Sequence, residues 1–277
     1  MSIKIAFLAG IIYNPNKCLY CTFIGIIEMQ AAAQVELFHL LFLRQFHQAI
    51  DSKLYAVKGG CNLRFFFDSA RYSEDLDIDI VKIQKNTLED KVNNILNAPS
   101  FIKLFQGAGI ERIRSTAPKQ TLTTQRWKIQ LYTAKSEMPL NTKIEFSRRK
   151  EEYTNELGDV SVKVCQQYRL PPMRLSHYGI SEAILQKILA LANRSLTQAR
   201  DVFDLYHLLH IGPCEKIVIT EITEEKAIEA LLSVSFADYK SQVVSYLEQE
   251  YQKEYGEKDY WFLISNKIHD YIDGLIK

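Results

Sequence analysis

Between Lys58 and Ile80 the chain reads KGGCNLRFFFDSARYSEDLDIDI: two glycines follow a short apolar run, and Asp75, Asp77 and Asp79 recur at every second position. Period-two alternation marks a β-strand, which would carry all three carboxylates on one face. Such crowding needs a reason, because two like charges about 4 Å apart repel by roughly 1 kcal/mol even in water. A bound divalent cation supplies one, since such ions take carboxylate oxygens. A solvated acidic edge strand is the competing explanation. The glycines remove side chains where a backbone must approach something closely.

The 277 residues make one large domain or two small ones, with enough chain to bury a core. A net charge of +1 advertises neither a membrane surface nor a polyanion, so contact with either needs a local patch. The five scattered cysteines predict reduced thiols in a cytoplasmic protein rather than a disulfide framework, and the Cys18–Cys21 pair lacks a partner pair at zinc-site spacing. In residues 1–28 two apolar runs are broken by Asn14–Lys17, and neither reaches the roughly 18 residues of a membrane span. We expect two short strands there, an appendage to the working fold, and no export.

Apolar spacing predicts a helix over 28–49, a strand at 54–57, a short helix over 62–67 after the glycine turn, and the acidic strand at 76–83. Helices at 87–96, with Thr87 as its cap, and 101–105 precede strands at 110–114, 126–133 and 142–146. Beyond residue 150 the pattern is helical, over 181–192, 197–209, 224–232, 239–251 and 259–276. The class is therefore α+β: a small mixed or antiparallel sheet with flanking helices in residues 29–165, then a helical domain in 166–277.

In a strand beside Asp75 and Asp77, Lys143 and Glu145 share one face while Ile144 and Phe146 go to the core, so Glu145 can supply a third carboxylate. An ordinary Lys–Glu cross-strand pair is the alternative. On the helix after Ser181, Lys187 and Arg194 lie seven apart on one flank with Ala183 and Ala190 beside them, a pocket suited to a triphosphate or a plain solvated flank. Ile184, Leu185, Ile188, Leu189 and Ala192 form its apolar face. Asp201 either faces back to orient Lys187 or Arg194, or serves the dipole of its own helix, where Arg200 and Asp204 have i,i+4 spacing.

KGGCNLRFFF with RYSEDLDID, then KIEFSRR, the Lys187 helix and RDVFDLYHLL, in that order, resemble the AbiEii/AbiGii-type toxin nucleotidyltransferases of the DNA polymerase β-like superfamily, over residues 57–210. The resemblance implies an enzyme that moves a nucleoside monophosphate from an NTP to an acceptor, with tRNA or another RNA as the acceptor to expect. It implies two Mg²⁺ ions, or Mn²⁺, on Asp75, Asp77 and Glu145, with Asp79 as an extra acid at the strand end. Lys58, Gly59, Gly60, Cys61, Lys143, Lys187, Arg194 and Asp201 would then face nucleotide and phosphates. Cys61 stands where the family usually has Ser or Thr. A thiol is the poorer donor, which leaves backbone N–H groups for the phosphates and keeps open a non-catalytic nucleotide- or RNA-binding homologue. A metal-dependent phosphohydrolase would use the same acids. The family further implies an antitoxin encoded by a neighbouring gene and no membrane partner. For RNA, the basic groups Arg112, Arg114, Lys119, Arg126, Lys128 and Arg148–Lys150 could follow a backbone, or serve only solubility, and Tyr72, Tyr168 or Tyr178 could stack a base.

Overall fold

The computed structural model describes residues 29–134, 136–149, 154–212 and 216–276, so the strands expected in 1–28 lie outside the described residues. In chain order these residues form α1 (Ala31–Ala49), β1 (Tyr55–Lys58), α2 (Gly59–Phe66), β2 (Leu76–Ile80), α3 (Lys85–Asn97), α4 (Pro99–Lys103), β3 (Ile110–Gln120), β4 (Thr124–Thr133), β5 (Ser136–Arg148), β6 (Glu156–Asp159), α5 (Val162–Gln167) and β7 (Arg174–His177). A helical run follows: α6 (Ile180–Asn193), α7 (Ala199–Ile211), α8 (Glu221–Ser233), α9 (Phe236–Gln242), α10 (Gln249–Tyr255) and α11 (Lys258–Asp273). The strands make one mixed sheet in the order β3-β4-β5-β2-β1-β7-β6, an α+β architecture with flanking helices. β1 runs antiparallel to β2 and parallel to β7, and β2 runs parallel to β5.

Two hydrophobic clusters hold the chain together. On α1, Phe38, Phe42 and Phe46 stack one turn apart, with ring centroids 6.3 and 5.8 Å apart, and Phe46 meets Tyr55 and Phe146 of the sheet at 5.2 Å. Each such ring contributes about 1.5–3 kcal/mol by leaving water. The second cluster lies among the later helices, where Ile184, Ile188 and Leu191 of α6 pack with Val202 and Leu205 of α7 and Ile264 and Ile268 of α11. Cys61 and Phe65 of α2 point into the first cluster and Leu63 into the second, so this short helix joins them.

Several elements depart from their sequence expectation for identifiable reasons. The glycine pair opens α2 instead of preceding it, with Gly59 at φ +67°. β3 and β5 run well past their apolar cores, because pairing with β4 rather than side-chain burial sustains their ends. A ladder irregularity between Thr116 and Lys119 accommodates Pro118, which cannot donate to a neighbouring strand. β7, from the half expected to be helical, lies in the sheet beside β1. Thr87 lies inside α3, and Gln84 occupies the cap. The single helix expected over 239–251 is broken between α9 and α10 because residues 246–248 turn to pair with the segment before β2. There the Tyr72 N–H donates to the Tyr246 carbonyl at 2.8 Å and the Glu248 N–H to the Ala70 carbonyl at 2.9 Å.

Candidate active site

Sheet register assembles the centre of the site. Lys58 on β1 pairs with Asp77 on β2, Asp77 with Glu145 on β5, and Glu145 with Arg126 on β4. Directly paired residues share a face, so four charged side chains stand in a row across four strands, while Leu76, Ile78, Ile144 and Phe146 point to the core below. Asp75 precedes the strand, and its carbonyl accepts the Ser73 hydroxyl at 2.8 Å and the Cys61 thiol at 3.3 Å. Gly59 lets the chain turn directly over the acids: a Cβ there would sit 3.2 Å from Asp77 Oδ2. At Gly60 a Cβ would meet Ser73 Oγ at 2.6 Å.

These charges are partly compensated. Lys143 Nζ lies 2.8 Å from Asp75 Oδ2, and Arg126 Nη2 lies 2.5 Å from Glu145 Oε2. Burial raises the Asp77 carboxyl above the ordinary carboxylate range; Lys58 and Lys143 pull it down, while Asp75 and Glu145 push it further up. Among the described residues no group of three or more His, Cys, Asp or Glu side chains is set to hold a metal ion as it stands. The donor chemistry nonetheless fits a hard divalent ion: Asp75, Asp77 and Glu145 offer oxygens only, and positive charge beside Asp77 opposes the upward push of burial and of its two acidic neighbours.

Asp79, Cys61 and Lys187 are all buried. Asp79 shares the strand face with Asp77 but is fully buried, with Lys58 Nζ at 2.5 Å, Arg149 Nε at 2.6 Å and the Tyr178 hydroxyl at 2.8 Å. It anchors Lys58, whose ammonium also reaches Ser147 Oγ at 3.2 Å. The Cys61 side chain is buried beside His39, away from the cavity, and burial pushes its thiol up. It pins Asp75 through the backbone, and the hydroxyl beside the glycines belongs to Ser73. Lys187 is also buried, its ammonium 3.0 Å from Asp201 Oδ1 and 2.6 Å from Asp204 Oδ2. Burial opposes that charge, but Asp204 and Asp201 outweigh it and hold Lys187 protonated.

Asp201 does face back, holding Lys187 and also Arg194, whose Nε is 2.8 Å from Oδ2. The i,i+4 pairing of Arg200 with Asp204, the alternative reading, is not the one adopted. Arg71, five residues before β2, takes Asp204 through two bonds of 3.0 and 2.8 Å, and Arg200 turns to Glu74 at 2.7 Å. Burial works against ionising Asp204, yet Arg71 and Lys187 hold it well below the carboxylate range. Sequence reasoning missed Arg71, Ser73 and Glu74; the only signal was their place within the RYSED run before the acidic strand.

Between these two groups lies a cavity of about 510 Å³, floored by the charged row and walled by α6 and the start of α7. That size suits a nucleotide. It opens toward a wing formed by β3, β4 and β5, whose site-side face is basic. Lys119 pairs with Arg126, Lys128 with Lys143, and Arg114 with Gln130, while Trp127, Ile129 and Leu131 take the opposite, buried face. Arg112 lies over the Tyr132 ring at 3.9 Å. Arg148 turns to Gln125 and the Ile83 carbonyl, and Lys150 lies outside the described residues. Tyr72, Tyr168 and Tyr178, the expected base-stacking rings, are all buried.

No helix of the described residues is long and apolar enough to cross a membrane. No curated protein matches the chain. Among solved structures, MenT4, a nucleotidyltransferase toxin from Mycobacterium tuberculosis H37Rv, is 15% identical with a TM-score of 0.61, over 90% of this chain and 87% of that one. JHP933 from Helicobacter pylori is 21% identical with a TM-score of 0.52, over 88% of this chain and 94% of that one. At such identities the likeness is one of fold. The sequence model described as nucleotidyl transferase AbiEii toxin, type IV TA system, matches residues 41–262. The chain therefore belongs to the AbiEii family of nucleotidyltransferase toxins.

Proposed function

We propose that the cavity binds an NTP with Mg²⁺ and transfers its nucleoside monophosphate to a hydroxyl of an RNA, tRNA being the first acceptor to test. The observation that carries this reading is the register row Lys58–Asp77–Glu145–Arg126 beneath a glycine turn where a Cβ would sit 3.2 Å from Asp77 Oδ2. Asp75, Asp77 and Glu145 would hold the metal, Mg²⁺ or Mn²⁺, which supplies Lewis acidity at the phosphates and lowers the pKa of the attacking hydroxyl. Lys143 and Arg126, which pair with Asp75 and Glu145 in the free protein, would be the cations available to the triphosphate. The Gly59–Gly60 turn adds backbone N–H donors, and Arg194, at the end of α6, adds a cation. The acceptor oxygen forms a bond to the α-phosphorus as the bond to the bridging oxygen breaks; pyrophosphate leaves and the hydroxyl proton passes to water. Lys187 works through Asp201, keeping Arg194 in place, rather than as a free phosphate clamp.

The basic face of the β3–β5 wing supports an RNA acceptor, because its cations continue the row that contains Glu145. A non-catalytic nucleotide- or RNA-binding homologue would give NTP binding without covalent label on RNA. The antitoxin expected of such a system would be encoded by a neighbouring gene. The test is incubation of full-length protein and Mg²⁺ with total RNA and each α-labelled NTP. Label covalently joined to RNA is expected; free nucleoside monophosphate as the main product would replace the transferase with a phosphohydrolase.

A further inference from the structure

We propose that Leu189 and Ala190 of α6 form the seat for the nucleobase, and that the Gln186 amide reads its edge. This rests on the cavity being an NTP site. Apart from these two residues and the glycines, the side chains lining the cavity are polar or charged, so Leu189 and Ala190 make its apolar patch. Leu189 also breaks the pattern of its helix. Ile184, Ile188 and Leu191 are buried in the helical core, whereas Leu189, expected to join them, is 40% exposed.

At 100° per residue, the flank of α6 runs from Lys187 and Arg194 through Ala190 and Gln186 to Leu189. Cationic groups therefore stand at one side of the wall and apolar surface at the other, separated by less than half the helix circumference. A nucleotide has the same polarity, an anionic tail and a flat apolar face. The tyrosines Tyr72, Tyr168 and Tyr178 are buried and do not line the cavity. Gln186 lies between the two ends, its amide nitrogen 3.2 Å from Glu182 Oε1 on the outer turn. A carboxamide carries two donors and an acceptor, the set needed to discriminate base edges that differ in an amino or a keto group.

Equilibrium binding of the full chain to Mg²⁺ complexes of ATP, GTP, CTP and UTP, and to inorganic tripolyphosphate as the base-free probe, tests the seat. Leu189→Asn keeps the charge of the cavity and alters an exposed side chain, so it folds. We expect it to weaken all four NTPs by about tenfold while leaving tripolyphosphate binding unchanged. Gln186→Ala should compress the preference among the four bases, again without affecting tripolyphosphate. Unchanged NTP affinity in Leu189→Asn, or an equal loss for tripolyphosphate, overturns the seat and leaves the triphosphate site standing. A wild-type protein that binds neither probe overturns the NTP reading and the seat with it.

Discussion

The cavity is bounded by two sets of ion pairs with similar distances and opposite character. On the sheet, Lys143–Asp75 and Arg126–Glu145 are 2.8 and 2.5 Å apart, each with both partners between a fifth and a third exposed. On the opposite wall, Lys187 of α6, Asp201 and Asp204 of α7 and Arg71, from the segment before β2, are buried and share their bonds. An exposed pair contributes little and exchanges readily, whereas removing one member of a buried pair strands a charge out of water. Distance alone does not separate these two sets of pairs; the burial of the partners does. On the proposed reading, Lys143 and Arg126 would change partner when a substrate arrives, while the buried charges hold the wall they face.

The largest expected effect tests the sheet side. Asp77→Ala should lower transfer by on the order of 10³-fold or more, because no other acid occupies the centre of the register row. Its fold should survive, with an unchanged or higher melting temperature, since the change removes a carboxyl whose ionisation burial, Asp75 and Glu145 all oppose. Undiminished transfer in a folded variant would remove Asp77 from the chemistry. On the helical side the pattern reverses. Asp204→Ala leaves both Lys187 and Arg71 short of a partner and should cost about 3–5 kcal/mol of unfolding free energy. A loss below 1 kcal/mol in denaturant titration would show that this cluster is not the lock proposed.

Acid acts on both sides of the cavity, because burial also lowers His207 on α7. His39, against α2 and β5, and His177, on β7, are both lowered by burial to about 4. A histidine depressed in the folded state contributes stability that is fully present above its unfolded value of about 6.5 and is lost as pH falls toward 4, roughly 3 kcal/mol for each. Glu36, raised by burial against the pull of Arg64, works in the opposite direction and tempers the slope. Asp204, held below the ordinary range, gives its stability up only at still lower pH. Urea midpoints should therefore fall first between pH 6.5 and 4, and His39→Asn should flatten that step. An unaltered slope in this variant would exclude His39 as its source.

The sequence made visible what depends on neighbours along the chain. Alternating aspartates, the glycine pair and Lys143-Ile144-Glu145 have local signatures, and their order along the chain brought them into one site. What covers a face is not local. Asp79 follows the same alternation as Asp77, but Tyr178 and Arg149, arriving from 99 and 70 residues away, close over it. The same holds for Arg71–Asp204, 133 residues apart, and for Arg200, which leaves its helical neighbour for Glu74 across 126 residues. Leu189 shows the converse: helical periodicity assigned it to a core that Ile188 and Leu191 already fill.

The smallest expected effect is the sharpest test of the contrast, because it asks for a charge whose loss the fold does not register. Lys143→Met removes the cation from Asp75 at a site that is one-third exposed, so unfolding free energy should change by less than about 1 kcal/mol. The same variant should still weaken NTP binding by about tenfold, the cost of losing one charge-assisted contact to phosphate. Lys187→Met deletes a cation of the same type from the opposite wall, yet it leaves Asp201 and Asp204 buried with one partner fewer and should be the less stable protein of the two. If the two variants unfold at the same denaturant concentration, burial is not what divides the sets, and Lys187 has to be reconsidered as a direct phosphate ligand.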